Sequence, residues 1–184
     1  HFVRRRQRQM CIRDRLKGCR VIGVAGGTEK CRWLTETAKI DAAIDYKAAK
    51  LEEVIPELCP EGIDVIFDNV GGDFLNIALT HINQSARIAV CGAISGYNNE
   101  TPAPGPANYT ALIIQRARME GFIVLDYMDK FPEAIADLMR WVQEGKIIYQ
   151  EDIQEGIENA PDTLLRLYTG KNQGKQLLKV AEPD

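Results

Sequence analysis

Short apolar runs alternate with amphipathic stretches along most of the chain, from Leu16 onward. The apolar runs end at glycines or polar turns, whereas the stretches between them space their apolar residues for one face of a helix. Five strands are predicted first, at Cys19–Ala25, Asp41–Tyr46, Ile63–Asp68, Ala86–Cys91 and Gly121–Leu125. Because the strands alternate with helices and are nearly continuous apolar runs, we expect an α/β fold with a doubly wound parallel sheet.

The predicted helices lie between and after these strands. They are expected from Thr28 onward and at Leu51–Leu58, Phe74–Leu79, Tyr109–Arg118, Pro132–Glu144 and Ala160–Tyr168. Thr28 is a suitable N-cap, and Pro56 weakens the end of its helix. Residues 96–108 are rich in Pro and Gly and are predicted to form a loop. The final part of the chain changes in character, with strands predicted at Lys146–Tyr149 and Gln176–Val180.

Composition narrows the class of protein. The chain has 184 residues, of which 45% are apolar and 27% charged, and its formal net charge is −3. This length suits one ordinary domain, and both fractions are typical of globular proteins. No apolar run approaches the ~20 residues of a membrane span, and the mild acidity argues against nucleic acid as a partner. We therefore expect a soluble, cytoplasmic protein that binds neither membranes nor nucleic acid.

The amino-terminal segment differs from the rest of the chain. Residues 1–15 hold six Arg and one Asp, a local charge of +5 that leaves −8 for the other 169 residues. The segment has no initiating Met, apolar core or small-residue cleavage site, so it is not a secretory signal, and it lacks the Ser of a transit peptide. We interpret it as foreign to the fold, a remnant of expression or of sequence assembly. A solvated basic tail and a nucleic-acid-binding arm are the alternatives.

The cysteines and histidines predict no metal site. The five cysteines are Cys11, Cys19, Cys31, Cys59 and Cys91. They include no Cys-x-x-Cys pair, and their spacing fits no zinc motif. The two histidines are His1 and His81. An odd number of cysteines without a signal peptide is typical of reduced thiols in the cytosol.

The candidate chemistry lies at the carboxyl ends of the predicted strands. Three of these ends combine small and polar residues, namely Gly26–Thr28, Asp68–Gly72 and Cys91–Tyr97. Ligands of doubly wound sheets bind at such ends, and small residues let a flat or charged ligand approach the backbone. One glycine pair alone would only mark a strand-to-helix turn. Three such turns together predict a dinucleotide-binding groove.

The glycine pair Gly26–Gly27 has two interpretations. In the first it is a pyrophosphate loop, and Asp45 follows at the distance of the acid that binds a ribose hydroxyl of NAD, although the run does not spell Gly-x-Gly-x-x-Gly. In the second it ends the second strand of the sheet, where no carboxylate stands and Lys30 follows at a helix start. Helix N-terminal amides and a lysine attract a 2′-phosphate, which favours NADP. An ordinary solvated helix lysine is the alternative for Lys30.

Five runs of residues point to a family. They are Gly26–Lys30, Phe67–Gly72, Cys91–Asn98, Arg118–Phe122 and Gly170–Lys175, in this order. Together they resemble the prostaglandin reductase/NADPH-dependent alkenal reductase family, which belongs to the zinc-free medium-chain dehydrogenases/reductases. The resemblance extends from about Leu16 to Val180, and the run Cys91–Asn98 is quite specific.

The resemblance implies a division of the chain. An amino-terminal catalytic domain and the first Rossmann strand with its glycine-rich loop would precede Leu16 and are missing, which makes Val21–Ala25 the second strand. Residues 16–149 would form an incomplete, Rossmann-like NADP-binding domain. Residues 150–184 would return to the catalytic domain. We therefore expect little turnover and weak cofactor binding from the 184-residue chain by itself.

The resemblance also implies which residues bind the cofactor. Lys30 would bind the 2′-phosphate of NADP, Tyr46 would lie near the adenosine end, and Asn69 would form a hydrogen bond to the cofactor. The groove toward the nicotinamide would be lined by Cys91, Gly92, Ala93, Ile94, Ser95, Gly96 and Tyr97. The backbone of Phe122, Ile123 and Val124 would bind the carboxamide, and Asn172 would close over the cofactor. A buried strand is a second, compatible interpretation of Phe122–Val124.

The implied reaction is hydride transfer from NADPH to the β-carbon of an α,β-unsaturated ketone or aldehyde, followed by protonation of the α-carbon. Tyr97 is the candidate proton donor, with positioning of the ribose as its alternative role. Some relatives have a tyrosine acid in the segment that here is Ile113–Arg116, which contains none. A quinone reductase of the zeta-crystallin type and a nucleotide-binding module without activity are the alternatives. A homodimer paired along the edge strand Gly121–Leu125 is expected.

Overall fold

The structure, a computed structural model, describes residues 11–97, 99–101 and 103–181. Its strands are β1 (Ile22–Ala25), β2 (Ala42–Asp45), β3 (Ile63–Asp68), β4 (Ile82–Val90), β5 (Arg118–Gly121), β6 (Glu151–Glu155) and β7 (Lys175–Lys179). Its α-helices are α1 (Thr28–Arg32), α2 (Leu51–Leu58), α3 (Gly72–Ala78), α4 (Ala111–Ile114), α5 (Phe131–Gln143) and α6 (Ala160–Thr169). α1 continues as a π-helix over Trp33–Thr37. Residues 11–16 are also helical.

Strands β3, β4 and β5, and likewise β6 and β7, pair in parallel, as the alternation of strands and helices predicts. β3, β4 and β5 lie side by side in that order, and both pairs are parallel. β6 and β7 form a second parallel pair, and β1 pairs with β2. Parallel neighbours need a crossover longer than a hairpin, and helices such as α3 between β3 and β4 provide it. The predicted α/β fold is confirmed.

The described strands form separate hydrogen-bonded sheets instead of one continuous sheet. In the strand order 3-2-1-4-5-6 of a doubly wound sheet, the first strand is the neighbour of both the second and the fourth. In that numbering β1 and β2 are the second and third strands, and β3, β4 and β5 are the fourth to sixth. The separation of the β1–β2 sheet from the β3–β4–β5 sheet therefore matches the absence of a first strand from the described residues.

The described residues divide into two compact units. The first unit takes in the described parts of residues 1–23, 28–43 and 138–184, and the second takes in residues 24–27 and 44–137 where they are described. The domain boundaries predicted after residues 15 and 149 stay predictions.

The core of the second unit lies where α3 packs on β3 and β4. Its buried cluster comprises Ile66, Leu75, Ala78, Leu79, Ile82, Ala86 and Ile88. Leu75 and Ala78 stand three residues apart on one helix face, and Ala86 and Ile88 alternate along one face of β4. The same packing holds the carboxyl ends of the two strands together, since Asp68 and Val90 are partners in the β3–β4 register.

In the first unit, Gly23 of β1 packs closely against the chain that follows the strand. A Cβ at Gly23 would lie 2.8 Å from Cδ1 of Ile40 and 3.0 Å from Cδ1 of Leu34, both of which are buried. Only glycine allows this approach of the strand without a shift. Trp141 of α5 is buried as well, and the Lys17 ammonium lies 5.4 Å from its ring centroid. This arrangement is a cation–π contact.

The strand predicted at Gly121–Leu125 is wrong in position. β5 ends at Gly121, and its residues pair with Arg87–Val90 of β4. The apolar residues after it enter a 3₁₀ segment over Val124–Lys130 instead. β5 has the sequence Arg-Met-Glu-Gly, and a charged edge strand has no apolar run that would reveal it.

Two further element predictions are wrong. The helix predicted at Tyr109–Arg118 ends as α4 at Ile114, and the chain then turns at Arg116, whose φ is +49°. The strand predicted at Lys146–Tyr149 is absent from this described segment, and β6 follows at Glu151–Glu155. β6 is mostly polar, and its inward-facing residues form hydrogen bonds instead of apolar contacts. The apolar residues that led to the strand prediction lie before β6.

The segment interpreted as foreign to the fold is described only in part. Residues 1–10 lie outside the described residues. Over residues 11–16 the chain is helical, and Ile12 is 3% exposed. This burial shows that the described part of the segment packs against the rest of its unit.

The thiols provide a test of this packing. All five cysteines are free thiols, and burial, reinforced by the nearby Asp14 carboxylate, raises the pKa of Cys11 to about 11. At pH 8 about one Cys11 in a thousand is then the reactive thiolate. We expect iodoacetamide at pH 8 to modify the exposed Cys19 and to leave Cys11 unmodified until urea unfolds the chain, as read by peptide mass spectrometry. Equal labelling of the two would contradict the partial burial of Cys11.

Candidate functional site

The turn after β3 is built around the carboxylate of Asp68. Asp68 is the last residue of β3 and is buried, and its Oδ1 accepts the N–H groups of Val70 at 2.8 Å and Gly71 at 3.1 Å. Gly71 has φ +64° and ψ −152°, a conformation that is open mainly to glycine. The buried acid therefore closes the turn and fixes the start of α3.

Asn69 is the unusual residue of this turn. Its side chain is 1% exposed, and neither Nδ2 nor Oδ1 has a hydrogen-bond partner in the described part of the chain. A buried polar group without a partner costs about 1–3 kcal/mol, so such groups are rare in folded proteins. Asn69 is one of the residues predicted to bind the cofactor, and its unpaired amide is what a ligand-binding residue presents before the ligand arrives.

The loop after β4 is hydrogen-bonded to the turn that carries Asn69. The Ile94 N–H donates to the Asn69 carbonyl at 3.2 Å. Ser95 donates to the Val70 carbonyl from its N–H at 3.1 Å and from its hydroxyl at 2.6 Å. These bonds bring Asn69 and the predicted Cys91–Tyr97 segment together at the carboxyl ends of neighbouring strands.

Gly92 and Tyr97 shape the approach to the Asn69 amide. A Cβ at Gly92 would lie 3.1 Å from the Tyr97 hydroxyl and 3.8 Å from Asn69 Oδ1, so the missing side chain leaves space between the two polar groups. The Ala93 N–H donates to the Tyr97 hydroxyl at 3.3 Å. The hydroxyl therefore keeps its own proton for donation to a ligand.

Residues Phe122–Val124 follow β5 and do not form a buried strand, so that interpretation is wrong. The Phe122 N–H still donates to the Val90 carbonyl at 3.3 Å. The Phe122 ring makes edge contacts with Phe67, at 5.9 Å between centroids, and with Tyr127, at 6.1 Å. Ile123 is 64% exposed. The segment thus leaves the sheet beside the end of β4, with the Phe122 N–H still bonded to β4 and Ile123 and Val124 beyond the end of the strand.

The turn after β1 favours the second interpretation of its glycine pair. Asp45 Oδ1 accepts the Gly27 N–H at 2.8 Å and the Lys47 N–H at 3.1 Å. The Tyr46 ring covers Gly26, since a Cβ there would lie 2.8 Å from Tyr46 Cε1. Asp45 therefore closes the turn and does not extend from it as an acceptor for a ribose.

In the first unit, α1 is bonded to the loop that follows α6. The Lys30 ammonium donates to the Gly170 carbonyl at 2.6 Å. The side-chain amide of Gln173 donates to Glu29 Oε2 at 2.7 Å. Asn172 lies in the same loop, and its Nδ2 donates to a loop carbonyl at 2.9 Å. Lys30 is therefore not simply a solvated helix lysine, and it is bonded to the loop that contains Asn172.

The predicted residues thus fall into groups within each unit. Asn69, Cys91–Tyr97 and Phe122–Val124 lie at the ends of β3 to β5, whereas Lys30 and Asn172 both lie in the first unit, where Lys30 is bonded to the loop that contains Asn172. Asn98 lies outside the described residues. The sequence analysis missed the role of Asp68. The signal for it in the sequence is an acidic residue at the end of a predicted strand, directly before Asn-Val-Gly-Gly. The individual roles of the site residues stay predictions.

The described residues show neither a metal-binding cluster nor a membrane-spanning helix. No group of three or more His, Cys, Asp or Glu side chains among them is placed to hold a metal ion. None of the described helices combines the length and the apolar character that crossing a bilayer requires.

The geometry of the site is suited to a dinucleotide, without reference to any related protein. A buried amide lacks partners, a glycine keeps the space beside it open, and hydrogen-bonded turns surround it at the ends of parallel strands. These features define an α/β protein of the doubly wound, nucleotide-binding class. A family model described as zinc-binding dehydrogenase matches residues 14–144. The chain belongs to this zinc-binding dehydrogenase family.

Individual relatives agree in sequence and in structure. NADPH-dependent curcumin reductase of Escherichia coli (strain K12) is 44% identical over 175 residues, which cover 92% of this chain and 51% of the relative. Prostaglandin reductase 1 of Bos taurus is 45% identical over 168 residues, or 90% of this chain and 50% of the relative. The chain therefore spans about half the length of the curated relatives it matches.

A solved structure shows the same fold closely. CurA from Vibrio vulnificus, in complex with NADPH, superimposes with a TM-score of 0.87 at 40% identity over 96% of this chain and 54% of that protein. The Escherichia coli quinone oxidoreductase complexed with NADPH has a TM-score of 0.76 at 17% identity, a likeness of fold alone.

Proposed function

We propose that this chain is the NADP-binding part of an NADPH-dependent oxidoreductase that reduces the carbon–carbon double bond of α,β-unsaturated ketones and aldehydes. The observation that carries the proposal is the buried, unpaired Asn69 amide beside the glycine end of β4. A dinucleotide carries hydroxyl, phosphate and amide groups that would pair with it. NADPH is favoured because the curcumin reductase relative is NADPH-dependent and the CurA structure holds NADPH.

The chain's own residues would bind and orient the cofactor. Asn69 would pair with it, and the loop Cys91–Tyr97 would line the groove toward the nicotinamide. The backbone of Phe122–Val124 would bind the carboxamide. Tyr46 would cover the adenosine, Lys30 would bind the 2′-phosphate, and Asn172 would close over the bound molecule. No zinc ligand is needed for any of these contacts.

NADPH, when bound, supplies the hydride for the double bond. The protein's part is to hold the substrate and to stabilise its enolate oxygen with hydrogen-bond donors. The Tyr97 hydroxyl, held by the Ala93 N–H, is the donor that this chain offers at the Asn69 end of the groove. Its role is either to protonate the α-carbon or to position the ribose.

The intact protein is proposed to be a cytoplasmic homodimer. β5 is an end strand of the β3–β4–β5 sheet among the described residues, and its outer edge is where a second copy of the chain would pair. Edge strands of this kind pair across two-fold axes in many dimers.

The oxidation of NADPH tests the proposed reaction. The intact gene product is mixed with NADPH or NADH and with either a medium-chain 2-alkenal or a quinone, and the nicotinamide absorbance is followed. We expect oxidation of NADPH by the alkenal and little oxidation of NADH. A preference for the quinone would replace the proposal with a quinone reductase. Binding of NADPH without oxidation by either substrate would leave a nucleotide-binding module.

A further inference from the structure

A buried carboxylate stands directly before the buried amide of Asn69. Asp68 and Asn69 are consecutive in the chain, and each is 1% exposed. Oδ1 of Asp68 accepts the Val70 N–H at 2.8 Å, and the Gly71 N–H is 3.1 Å from both Oδ1 and Oδ2. Hydrogen bonds to an ionised acceptor are about twice as strong as those between neutral groups. The carboxylate therefore holds the two backbone donors that directly follow Asn69.

Two consecutive peptide groups after Asn69 are bonded on both of their sides. In the peptide between Asn69 and Val70, the carbonyl accepts the Ile94 N–H at 3.2 Å and the N–H donates to Asp68. In the peptide between Val70 and Gly71, the carbonyl accepts the Ser95 hydroxyl at 2.6 Å and the N–H donates to Asp68. A peptide group is planar and rigid, so a bond on each side fixes its orientation. The loop after β4 supplies the bonds on one side, and Asp68 supplies those on the other.

The orientation of these peptides determines what the Asn69 amide can contact. A buried amide without partners costs about 1–3 kcal/mol. A turn that could rotate would relieve this cost, because it would carry the amide to water or to a backbone partner. The bonds to Asp68 oppose that rotation. The amide thus stays unpaired, and a ligand would meet it without a preceding rearrangement of the turn, which favours binding.

We propose that Asp68 is a positioning residue for cofactor binding. Its carboxylate keeps the turn in the conformation in which the Asn69 amide is buried and unpaired. Asp68 itself does not touch the cofactor, because both of its oxygens accept N–H groups of its own turn. The inference rests on the proposed function, since it takes Asn69 as a residue that binds the dinucleotide, but it does not depend on which substrate is reduced.

The test compares two carboxylates of one strand. Asp68→Asn keeps the size of the side chain but removes its charge and one of its two acceptor oxygens. Asp64→Asn makes the same change at an exposed position of β3, where the carboxylate accepts the side-chain amide of Asn83 at 2.9 Å. The dissociation constants of NADPH and NADH are measured on the intact gene product by fluorescence titration. We expect Asp68→Asn to raise both about fivefold, because the bonds of Asn69 do not involve the 2′-phosphate. Asp64→Asn should change neither.

A double-mutant cycle separates positioning from general damage to the fold. In a protein that already carries Asn69→Leu, Asp68→Asn should have no further effect on cofactor affinity, because the amide that it positions is gone. It should still lower the free energy of unfolding, since the bonds to the two N–H groups are weakened. An additive loss of affinity would overturn the inference. If Asp68→Asn does not fold, as read by circular dichroism, Asp68→Ser makes the same comparison with a hydroxyl that can still accept one N–H of the turn.

The proposed function and this inference can fail separately. If Asn69→Leu leaves both dissociation constants unchanged, the assignment of Asn69 to the cofactor is wrong and the inference falls with it. If Asn69→Leu weakens binding and Asp68→Asn does not, only the positioning role of Asp68 is wrong. If binding responds as expected but the intact gene product reduces no 2-alkenal, the proposed reaction is wrong and the positioning role stands.

Discussion

Replacing Asn69 with leucine is expected to stabilise the cofactor-free protein and to weaken its binding of NADPH. The substitution keeps the number of heavy atoms and removes two buried polar atoms that have no partners among the described residues. The free energy of unfolding should therefore rise by about 1 kcal/mol, as read by urea denaturation. The dissociation constants of NADPH and NADH should both increase about tenfold, because the lost hydrogen bonds do not involve the 2′-phosphate.

Asn76 provides a matched control for this result. Its Oδ1 accepts the Asn108 N–H at 3.0 Å, so this amide is paired within the protein. Asn76→Leu should lower the free energy of unfolding and leave cofactor binding unchanged, the opposite of Asn69→Leu on both measurements. If leucine is too large for the site, Asn69→Ala tests the same two effects. A loss of stability in the Asn69 variants with unchanged NADPH affinity would assign Asn69 to the fold and not to the cofactor.

Lys30→Ala is expected to raise the KM for NADPH roughly 10–100-fold and to change the KM for NADH less than about twofold. The difference follows from the charge-assisted hydrogen bonds to the 2′-phosphate, which NADH lacks. Steady-state assays of the intact gene product with both cofactors measure it.

Lys50→Ala is the matched control, since Lys50 is an exposed lysine paired with Glu53 at 3.0 Å. It should alter neither KM. Lys30→Arg keeps the charge but not the compact ammonium, so part of the preference for NADPH should remain. Equal changes in the KM values for NADPH and NADH after Lys30→Ala would contradict the assignment of Lys30 to the 2′-phosphate.

The fold could be predicted where apolar patterning and burial coincide. β3 and α2 occur at the residues that the sequence predicts, because β3 lies in the middle of the chain's alternating pattern and α2 has an apolar stripe. β5 and β6 were misplaced because both are short and polar. Their stability comes from ladder hydrogen bonds and from polar side-chain bonds, which leave no period in the apolar residues.

The candidate site could be predicted in part, for a related reason. The glycines at the strand ends and Asn69 follow from the sequence pattern and the family resemblance, and the structure brings Asn69 and the Cys91–Tyr97 loop together. The bond from Lys30 to Gly170 joins residues 140 positions apart. The bond from Gln173 to Asp152 joins residues 21 positions apart. No local pattern encodes such pairs, so only the folded chain reveals how the loop is held.

The destination of the hydride tests the central claim most directly. The intact gene product is given NADPH deuterated at C4 of the nicotinamide together with a 2-alkenal, and the product is examined by NMR. The proposed double-bond reduction predicts a saturated aldehyde with deuterium at the β-carbon and a solvent-derived proton at the α-carbon. Deuterium at the carbonyl carbon of an unsaturated alcohol would show carbonyl reduction instead, and would contradict the proposed function.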